Sequence, residues 1–238
     1  MNHKQVPLKM MMSLSKCARL AKLEMSQCEF SQSIAFPKSI TKLVLHNCTF
    51  VGGFDWAFLT GSNVRELDLY NVKGVDGNQL GSALAVHLRA QGLDKLRVAY
   101  CGFVNETLAV VGVEIGRIKR LMLEDDRVSD ASIELIALTL QSPNNKMKEL
   151  VLEYAYSTMN GIENHLVPAL KHPNCNLVRL SLLTYEPEHK KTIKRVEDMF
   201  HNRLALFVLL QGRQVRRLYC PLRRLPVEMF RLVGATLI

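Results

Sequence analysis

Residues 64–74 read VRELDLYNVKG, and their apolar residues stand at the first, fourth and sixth positions. Successive side chains of a β-strand point to opposite faces, so Leu67 and Leu69 are predicted to enter a core together. Val64 is predicted to fill the turn that leads into the strand. Because one such unit cannot bury its own apolar face, it requires neighbours built on the same pattern.

Those neighbours are present, because the same eleven-residue template occurs seven times along the chain. All 21 leading positions are Leu, Ile, Val or Met, and the segments start 20, 24, 29, 25, 29 and 30 residues apart. A recurring unit of this length predicts stacked parallel strands that share one continuous core. The seven segments are LAKLEMSQCEF from Leu20, ITKLVLHNCTF from Ile40, VRELDLYNVKG from Val64, LDKLRVAYCGF from Leu93, IKRLMLEDDRV from Ile118, MKELVLEYAYS from Met147 and LVRLSLLTYEP from Leu177.

These segments resemble leucine-rich repeats of the ribonuclease-inhibitor-like type, whose pattern is LxxLxLxx(N/C)xL. The resemblance implies an α/β solenoid: a curved horseshoe with parallel strands on the concave face and helices and short turns outside. The last two repeats depart from the pattern at its ninth position, so we expect the coil geometry to loosen after residue 155. The ninth positions are Cys28, Cys48, Val72, Cys101, Asp126, Ala155 and Tyr185.

The segments between the strands predict helices of different lengths. Residues 76–91 carry leucines at four-residue spacing, which predicts an amphipathic helix. Residues 129–142 predict a second helix with Asp130 as its N-cap. The shorter units have room only for a short helix or a 3₁₀ turn, and Pro168 is expected to kink or to start the helix before the seventh strand.

We expect three parts: residues 1–19 as an N-terminal cap or partial repeat, residues 20–187 as a solenoid of about seven repeats, and residues 188–238 as a basic helical segment. The formal net charge is +9. Residues 1–188 carry 20 basic and 19 acidic residues, whereas residues 189–238 carry 11 and 3. The excess positive charge therefore belongs to the C-terminal segment.

Strand alternation predicts which side chains face away from the core. The positions before, between and after each apolar pair form three rows across the sheet. The first row is Lys22, Lys42, Glu66, Lys95, Arg120, Glu149 and Arg179; the middle row is Glu24, Val44, Asp68, Arg97, Met122, Val151 and Ser181; the third row is Ser26, His46, Tyr70, Ala99, Glu124, Glu153 and Leu183. Tyr100 and Tyr154 follow one residue beyond the third row.

We expect a protein partner to bind this concave face, because Tyr and Arg are enriched at binding hot spots and solenoid concavities are extended binding surfaces. Val44, Met122 and Val151 are read as exposed apolar contacts. The alternative is a parallel sheet that tolerates a few exposed aliphatic residues and binds nothing there. The predicted partner-binding residues are His46, Asp68, Tyr70, Arg97, Tyr100, Met122, Glu124, Val151 and Tyr154.

Residues 189–212 place Ile193, Val196, Phe200, Phe207 and Leu210 on one helical stripe, which predicts an amphipathic helix that closes the open end of the stack. The basic residues of the segment favour a further alternative, binding to nucleic acid or to an anionic membrane. This patch comprises Lys190, Lys191, Lys194, Arg195, Arg213, Arg216, Arg217, Arg223 and Arg224.

The stretch LPVEMFRLVGATL at 225–237 resembles the opening of an F-box. That resemblance implies a substrate-recognition subunit of a ubiquitin ligase, which would dock an adaptor through residues 222–238. A plain terminal amphipathic helix explains the same pattern.

The sequence carries none of the common nucleotide-binding, hydrolase or metalloprotease motifs, so we expect a non-enzymatic scaffold without cofactor, metal or small-molecule substrate. The six cysteines are interpreted as reduced structural thiols, because Cys28, Cys48 and Cys101 are expected to occupy the same buried repeat position. With no long apolar run and no signal peptide pattern, we expect a monomeric, intracellular protein of the cytoplasm or nucleus.

Overall fold

The chain folds as an α/β structure around a parallel sheet. The computed structural model describes residues 4–5, 17–30, 36–124, 128–153 and 159–219, with side chains described from residue 17 to residue 205. The chain divides into two compact units, residues 1–193 and residues 194–238.

In the part of the chain that the structure describes, ten strands form two parallel sheets. The larger sheet has seven strands, in the order β10-β9-β8-β7-β6-β4-β2, so its strands follow one another in chain order. The smaller sheet has the order β1-β3-β5. The strands are β1 (Lys4–Gln5), β2 (Lys22–Ser26), β3 (Cys28–Phe30), β4 (Lys42–His46), β5 (Thr49–Phe50), β6 (Glu66–Tyr70), β7 (Leu93–Ala99), β8 (Ile118–Glu124), β9 (Glu149–Glu153) and β10 (Arg179–Leu183).

The register of the larger sheet aligns the template positions of all seven segments. Residues of the predicted first row pair in sequence from Lys22 on β2 to Arg179 on β10, and the other two rows pair in the same way. The apolar pairs therefore stack on the opposite side, where Leu67 and Leu121 are fully buried. The geometry does not loosen at strand level after residue 155, because β10 pairs with β9 over five residues in the common register.

A residue with left-handed backbone conformation directly follows each of the first four strands of the larger sheet. Gln27, Asn47, Asn71 and Tyr100 have φ between 48° and 57°, and each donates its backbone N–H to the last carbonyl of the next strand. Asn tolerates this conformation, whereas a bulky residue such as tyrosine rarely adopts it. Thr184, which follows β10, does not adopt it, so the turn geometry changes there.

The repeat cysteines follow these turns. None of the five described cysteines forms a disulfide bond: these are Cys17, Cys28, Cys48, Cys101 and Cys175. Of the three repeat-position cysteines, only Cys48 is fully buried. Its Sγ donates to the carbonyls of His46 and Met25 at 3.4 and 3.6 Å. Burial raises the pKa of the Cys48 thiol to about 11. Cys28 and Cys101 are partly exposed, so the prediction that all three repeat-position cysteines are buried is wrong for these two.

Five α-helices connect or follow the described strands. They are α1 (Gly77–Ala90), α2 (Val104–Val111), α3 (Asp130–Gln141), α4 (Val167–Lys171) and α5 (Lys190–Tyr219). Short 3₁₀ helices cover Trp56–Leu59, Gly112–Arg117 and Pro187–His189. Neighbouring connections pack in chain order, with α1 against α2 and α3 against the 3₁₀ helix Gly112–Arg117.

The two helices predicted from apolar spacing are present. Asp76 caps α1 by accepting from the backbone N–H groups of Asn78 and Gln79. The N-cap of α3 is Ser129, whose hydroxyl accepts from Ser132, rather than the predicted Asp130. The prediction is wrong by one residue because serine and aspartate are both good caps.

Pro168 lies at the start of α4, directly after a π-helical turn at Ile162–Leu166. A proline lacks an N–H and its ring clashes with the carbonyl four residues earlier, so an ordinary α-turn is unfavourable there. The wider π-turn, in which Val167 donates to the carbonyl of Ile162, accommodates it.

Helix α5 carries the predicted apolar stripe as far as its side chains are described. Ile193, Val196 and Phe200 are buried. Phe207 and Leu210 fall among residues whose side chains are not described. None of the helices in the described residues is long and apolar enough to cross a membrane.

Candidate functional site

Six of the nine predicted partner-binding residues contact one another across four neighbouring strands of the larger sheet. We call the three rows of outward-facing residues across all seven strands of the larger sheet the strand face. The six are His46 on β4, Asp68 and Tyr70 on β6, Arg97 on β7, Tyr100 directly after β7, and Glu124 on β8.

Asp68 is the centre of the group. Its carboxylate lies 3.5 Å from Nε2 of His46, 3.5 Å from Nη1 of Arg97 and 3.6 Å from Nζ of Lys95. These are ion-pair distances, and Oδ1 of Asp68 makes no hydrogen bond within the described structure. Lys95 belongs to the site although the sequence prediction did not select it. The sequence did carry a signal for Lys95, because it stands in the first row of β7, next to Asp68 in the middle row of the neighbouring strand β6.

Arg97 is held between two carboxylates. Its Nε and Nη2 donate to Glu124 at 2.8 and 2.7 Å, which is the bidentate geometry that guanidinium and carboxylate groups favour. The hydrogen bond to Glu124, and the charges of Asp68 and Glu124, raise the pKa of Arg97 against the opposing effect of burial. The side chains of Arg97 and Glu124 are only 22% and 15% exposed. The pair is therefore fixed and largely shielded from solvent.

An aromatic ladder runs beside this pair. The ring centroids of His46 and Tyr70 are 5.5 Å apart, and those of Tyr70 and Tyr100 are 5.1 Å apart. The guanidinium carbon of Arg97 lies 5.5 Å from the centroid of the Tyr70 ring, within range of a cation–π contact. Tyr100 has the most exposed ring of the ladder. Its backbone is in the left-handed conformation, which is unfavourable for a residue with a bulky side chain.

A second ionic bridge spans the first row. Glu66 accepts from Nζ of Lys42 at 2.7 Å and from Nη2 of Arg120 at 3.3 Å. The hydrogen bond from Lys42, aided by the positive charges around it, lowers the pKa of the Glu66 carboxyl. In total the three rows carry six cationic and six anionic side chains. The strand face is electrically neutral although the whole chain is not.

The apolar contacts predicted on the strand face are less accessible than expected. Val44 is 5% exposed and Val151 is 1% exposed, so the prediction that they are exposed is wrong, whereas Met122 is partly exposed. A short β-branched side chain is covered when longer side chains flank it on a sheet, as Lys42 and His46 flank Val44 along β4. Tyr154 lies outside the described residues.

The basic residues predicted at the C-terminus are only partly described. Lys190, Lys191, Lys194 and Arg195 are exposed on α5. Arg213, Arg216 and Arg217 belong to the same helix, but their side chains are not described. Arg223 and Arg224 lie outside the described residues, as does the whole of segment 222–238.

Comparisons give no relative for this chain: no protein-family model matches it, and no curated protein is significantly similar to it. Within the described residues, no group of three or more His, Cys, Asp and Glu side chains is placed to hold a metal ion.

Proposed function

We propose that the chain is a leucine-rich-repeat solenoid that binds a protein partner on its strand face, the concave side of the repeat, without catalysing a reaction. The sevenfold template and the common register of β2 to β10 support the repeat assignment. The strand face then takes the role of the extended binding surface that solenoids provide.

The observation that carries the proposal is the aromatic ladder beside the Arg97–Glu124 pair. Tyrosine and arginine side chains dominate binding energy at many protein interfaces. Here both are preorganised, Arg97 by two carboxylates and Tyr70 by the rings on either side of it. Ordering them costs little on association, which favours affinity.

The charge balance of the strand face favours a protein partner over a polyanion. A nucleic acid requires a surplus of basic side chains, because it is bound mainly through its phosphates. With six cations and six carboxylates, the strand face suits a partner surface of mixed charge.

Substitution of the most exposed ring tests the proposal. We expect Tyr100→Glu to abolish capture of a partner that the unmodified chain retains from cell extract, because the new carboxylate stands beside Glu124. Tyr185→Glu is the matched control, since Tyr185 is an exposed tyrosine beyond the last strand. Equal loss of the partner in both variants, or no loss in either, would contradict the assignment to the strand face.

A second candidate function is binding to nucleic acid or an anionic membrane through the C-terminal segment. The exposed cluster Lys190, Lys191, Lys194 and Arg195 on α5 favours it. This function requires an affinity that falls steeply between 50 and 200 mM salt, about 10³-fold or more for six or more phosphate contacts. Binding that is absent, or independent of salt, would exclude it.

The ubiquitin-ligase alternative rests on the sequence resemblance at 225–237. It requires that the full chain retain an adaptor protein and that a chain lacking residues 222–238 lose it. Retention of the same adaptor by both chains would exclude docking through that segment.

A further inference from the structure

The charges of the strand face are segregated along the direction of the strands. The first row, at the N-terminal ends of the strands, carries five cationic and two anionic side chains. The third row, at the C-terminal ends, carries two carboxylates and no lysine or arginine. Because all seven strands are parallel and in register, these rows lie along opposite edges of the sheet. The strand face is therefore neutral as a whole but has a basic edge and an acidic edge.

The residues directly before the first row add to the basic edge. At this position Arg65, Lys119 and Lys148 are exposed, and Asp94 is the only carboxylate. We call the first row together with these four residues the basic rim. It carries eight cations and three carboxylates, a surplus of five positive charges.

Every strand of the larger sheet contributes a cation to the basic rim. Five of the strands carry it in the first row, and β6 and β9 begin directly after Arg65 and Lys148. Neighbouring parallel strands lie about 4.8 Å apart, so seven strands present a row of cations about 29 Å long. The spacing of these cations is close to the pitch of an α-helix, about 5.4 Å.

The cations of the basic rim reach further into solvent than its carboxylates. Lys42, Arg120 and Arg179 are 38%, 44% and 68% exposed, whereas their partners Glu66 and Glu149 are 28% and 15% exposed. A molecule that approaches this edge of the sheet therefore meets ammonium and guanidinium groups first.

Ion pairs within the protein leave part of this charge uncompensated. Glu66 is shared between Lys42 and Arg120, so one carboxylate faces two cations. Among the described residues, Arg65 and Lys148 have no carboxylate within ion-pair distance. The charge that the basic rim lacks must come from a partner or from counter-ions.

We propose that the protein partner of the strand face lays an α-helix with an acidic stripe along the basic rim, an inference that rests on the binding function proposed above. A helix of about 20 residues spans the rim, and one carboxylate on each turn follows the row of cations. The flexible stems of lysine and arginine absorb the small difference between strand spacing and helix pitch. The acidic edge lies about 13 Å away, beyond the screening length of about 8 Å at physiological salt, so it does not cancel the attraction.

The carboxylates of the basic rim favour a helix over a nucleic acid. Glu66, Asp94 and Glu149 interrupt the row of cations and would repel an unbroken series of phosphates. A helix avoids this repulsion, because it can place a neutral or basic side chain opposite each of the three.

Fluorescence anisotropy with two labelled peptides and the full chain tests the proposal. Both peptides are helices of about 20 residues with the same composition and the same leucine stripe. One carries its glutamates in a stripe beside the leucines, and the other carries them on the opposite face. We expect saturable binding of the first peptide at least tenfold tighter than that of the second. Equal affinities, or no saturable binding, overturn the proposal, and so does tighter binding of a single-stranded oligonucleotide.

Charge reversal locates the peptide on the protein. We expect the double substitution Arg65→Glu and Lys148→Glu to weaken binding of the first peptide by about tenfold. The double substitution Lys73→Glu and Lys171→Glu is the matched control, because it changes the net charge equally at exposed lysines outside the basic rim. Equal weakening by the two double variants overturns the placement on the rim.

Lys148→Glu alone keeps this test independent of folding. The Lys148 side chain makes no hydrogen bond or ion pair in the part of the chain that the structure describes, so its replacement removes no internal contact. We expect an unchanged melting temperature and binding of the first peptide about threefold weaker. Unchanged binding by this variant contradicts the proposal.

Partner capture separates failure at the rim from failure of the strand face. If the variant with Arg65→Glu and Lys148→Glu retains a partner that Tyr100→Glu loses, the helix does not lie on the rim, although the strand face still binds. If neither variant loses the partner, both proposals fail.

Discussion

Removing the Arg97 guanidinium from the strand face is expected to destabilise the protein by about 3 kcal/mol, because Glu124 loses its bidentate partner and Asp68 loses one of its ion-pair contacts. Glu124 loses a bidentate pair of hydrogen bonds and Asp68 loses a contact at 3.5 Å. Glu124→Ala is expected to cost less, about 2 kcal/mol, because Arg97 then keeps Asp68 as a partner.

These magnitudes follow from the burial of the pair. Hydrogen bonds to charged groups contribute about 1.5–3 kcal/mol, and breaking a fully buried ion pair costs about 3–5 kcal/mol. Arg97 and Glu124 are 22% and 15% exposed, so the lower end of the buried range applies. For a chain of this length, 3 kcal/mol corresponds to a fall in melting temperature of about 6–12 °C.

The assay is a double-mutant cycle of Arg97→Ala and Glu124→Ala, followed by thermal and urea denaturation. We expect a coupling energy of about 1.5 kcal/mol between the two residues. Lys22 and Glu24 supply the control cycle, because they also form an ion pair on the strand face, at 3.1 Å, but are 59% and 53% exposed. Their coupling is expected to be too small to measure. Equal coupling in the two cycles would refute the conclusion that the Arg97–Glu124 pair is preorganised.

Three further predictions concern the turns, thiols and helix packing. Gln27→Gly is expected to stabilise the protein by about 1 kcal/mol in urea denaturation, because Gln27 has a φ of 55° that glycine adopts without strain. Iodoacetamide at pH 8 to 10 is expected to label exposed Cys17 but to spare Cys48, as measured by mass spectrometry, because burial raises the pKa of Cys48 to about 11. The stability that the protonated Cys48 thiol contributes is complete below pH 9 and is lost as the pH rises through 11. Gly81→Ala is expected to lower stability by about 1–3 kcal/mol in urea denaturation, because the added Cβ would stand 2.8 Å from Cβ of Val110.

Each of these predictions has a control and a contradicting result. Ala109→Gly in α2 should destabilise the protein, so a gain in stability from both glycine substitutions would argue against relief of strain at Gln27. Rapid labelling of Cys48 at pH 8 would contradict its burial. Ser82→Ala, next to Gly81 but exposed, should change stability by no more than about 0.5 kcal/mol, and an equal loss in both variants would show that crowding at Gly81 is not the cause.

The sequence predicted the sheet well because the positions of the apolar residues in the template determine the register in which neighbouring strands pair. Leucine pairs two residues apart can enter the core only from one face, so a slip of one residue would expose them. Aligning the seven segments by letter therefore aligned Lys42 with Glu66 and Arg97 with Met122, as the strands do. The charge network on the strand face could be derived from those rows.

Exposure and cavities were not predictable in the same way. Whether Val151 is accessible depends on what covers it, and the two-residue period of a strand carries no information about that. Arg117 and Lys146 belong to different repeats, and they line one cleft only because two neighbouring connections leave space between them. The template fixes the strands but leaves the lengths and the packing of the connections free.

The chain order of the seven strands bears on how this protein can form during synthesis. Each strand of the larger sheet after the first pairs with the strand of that sheet that precedes it in the chain, so none waits for a partner that is still inside the ribosome. Contacts of this kind lie close together in sequence, which favours rapid folding. We expect the sheet to grow one repeat at a time as the polypeptide emerges, and an arrest of translation after about three or more complete repeats should leave the preceding repeats already packed.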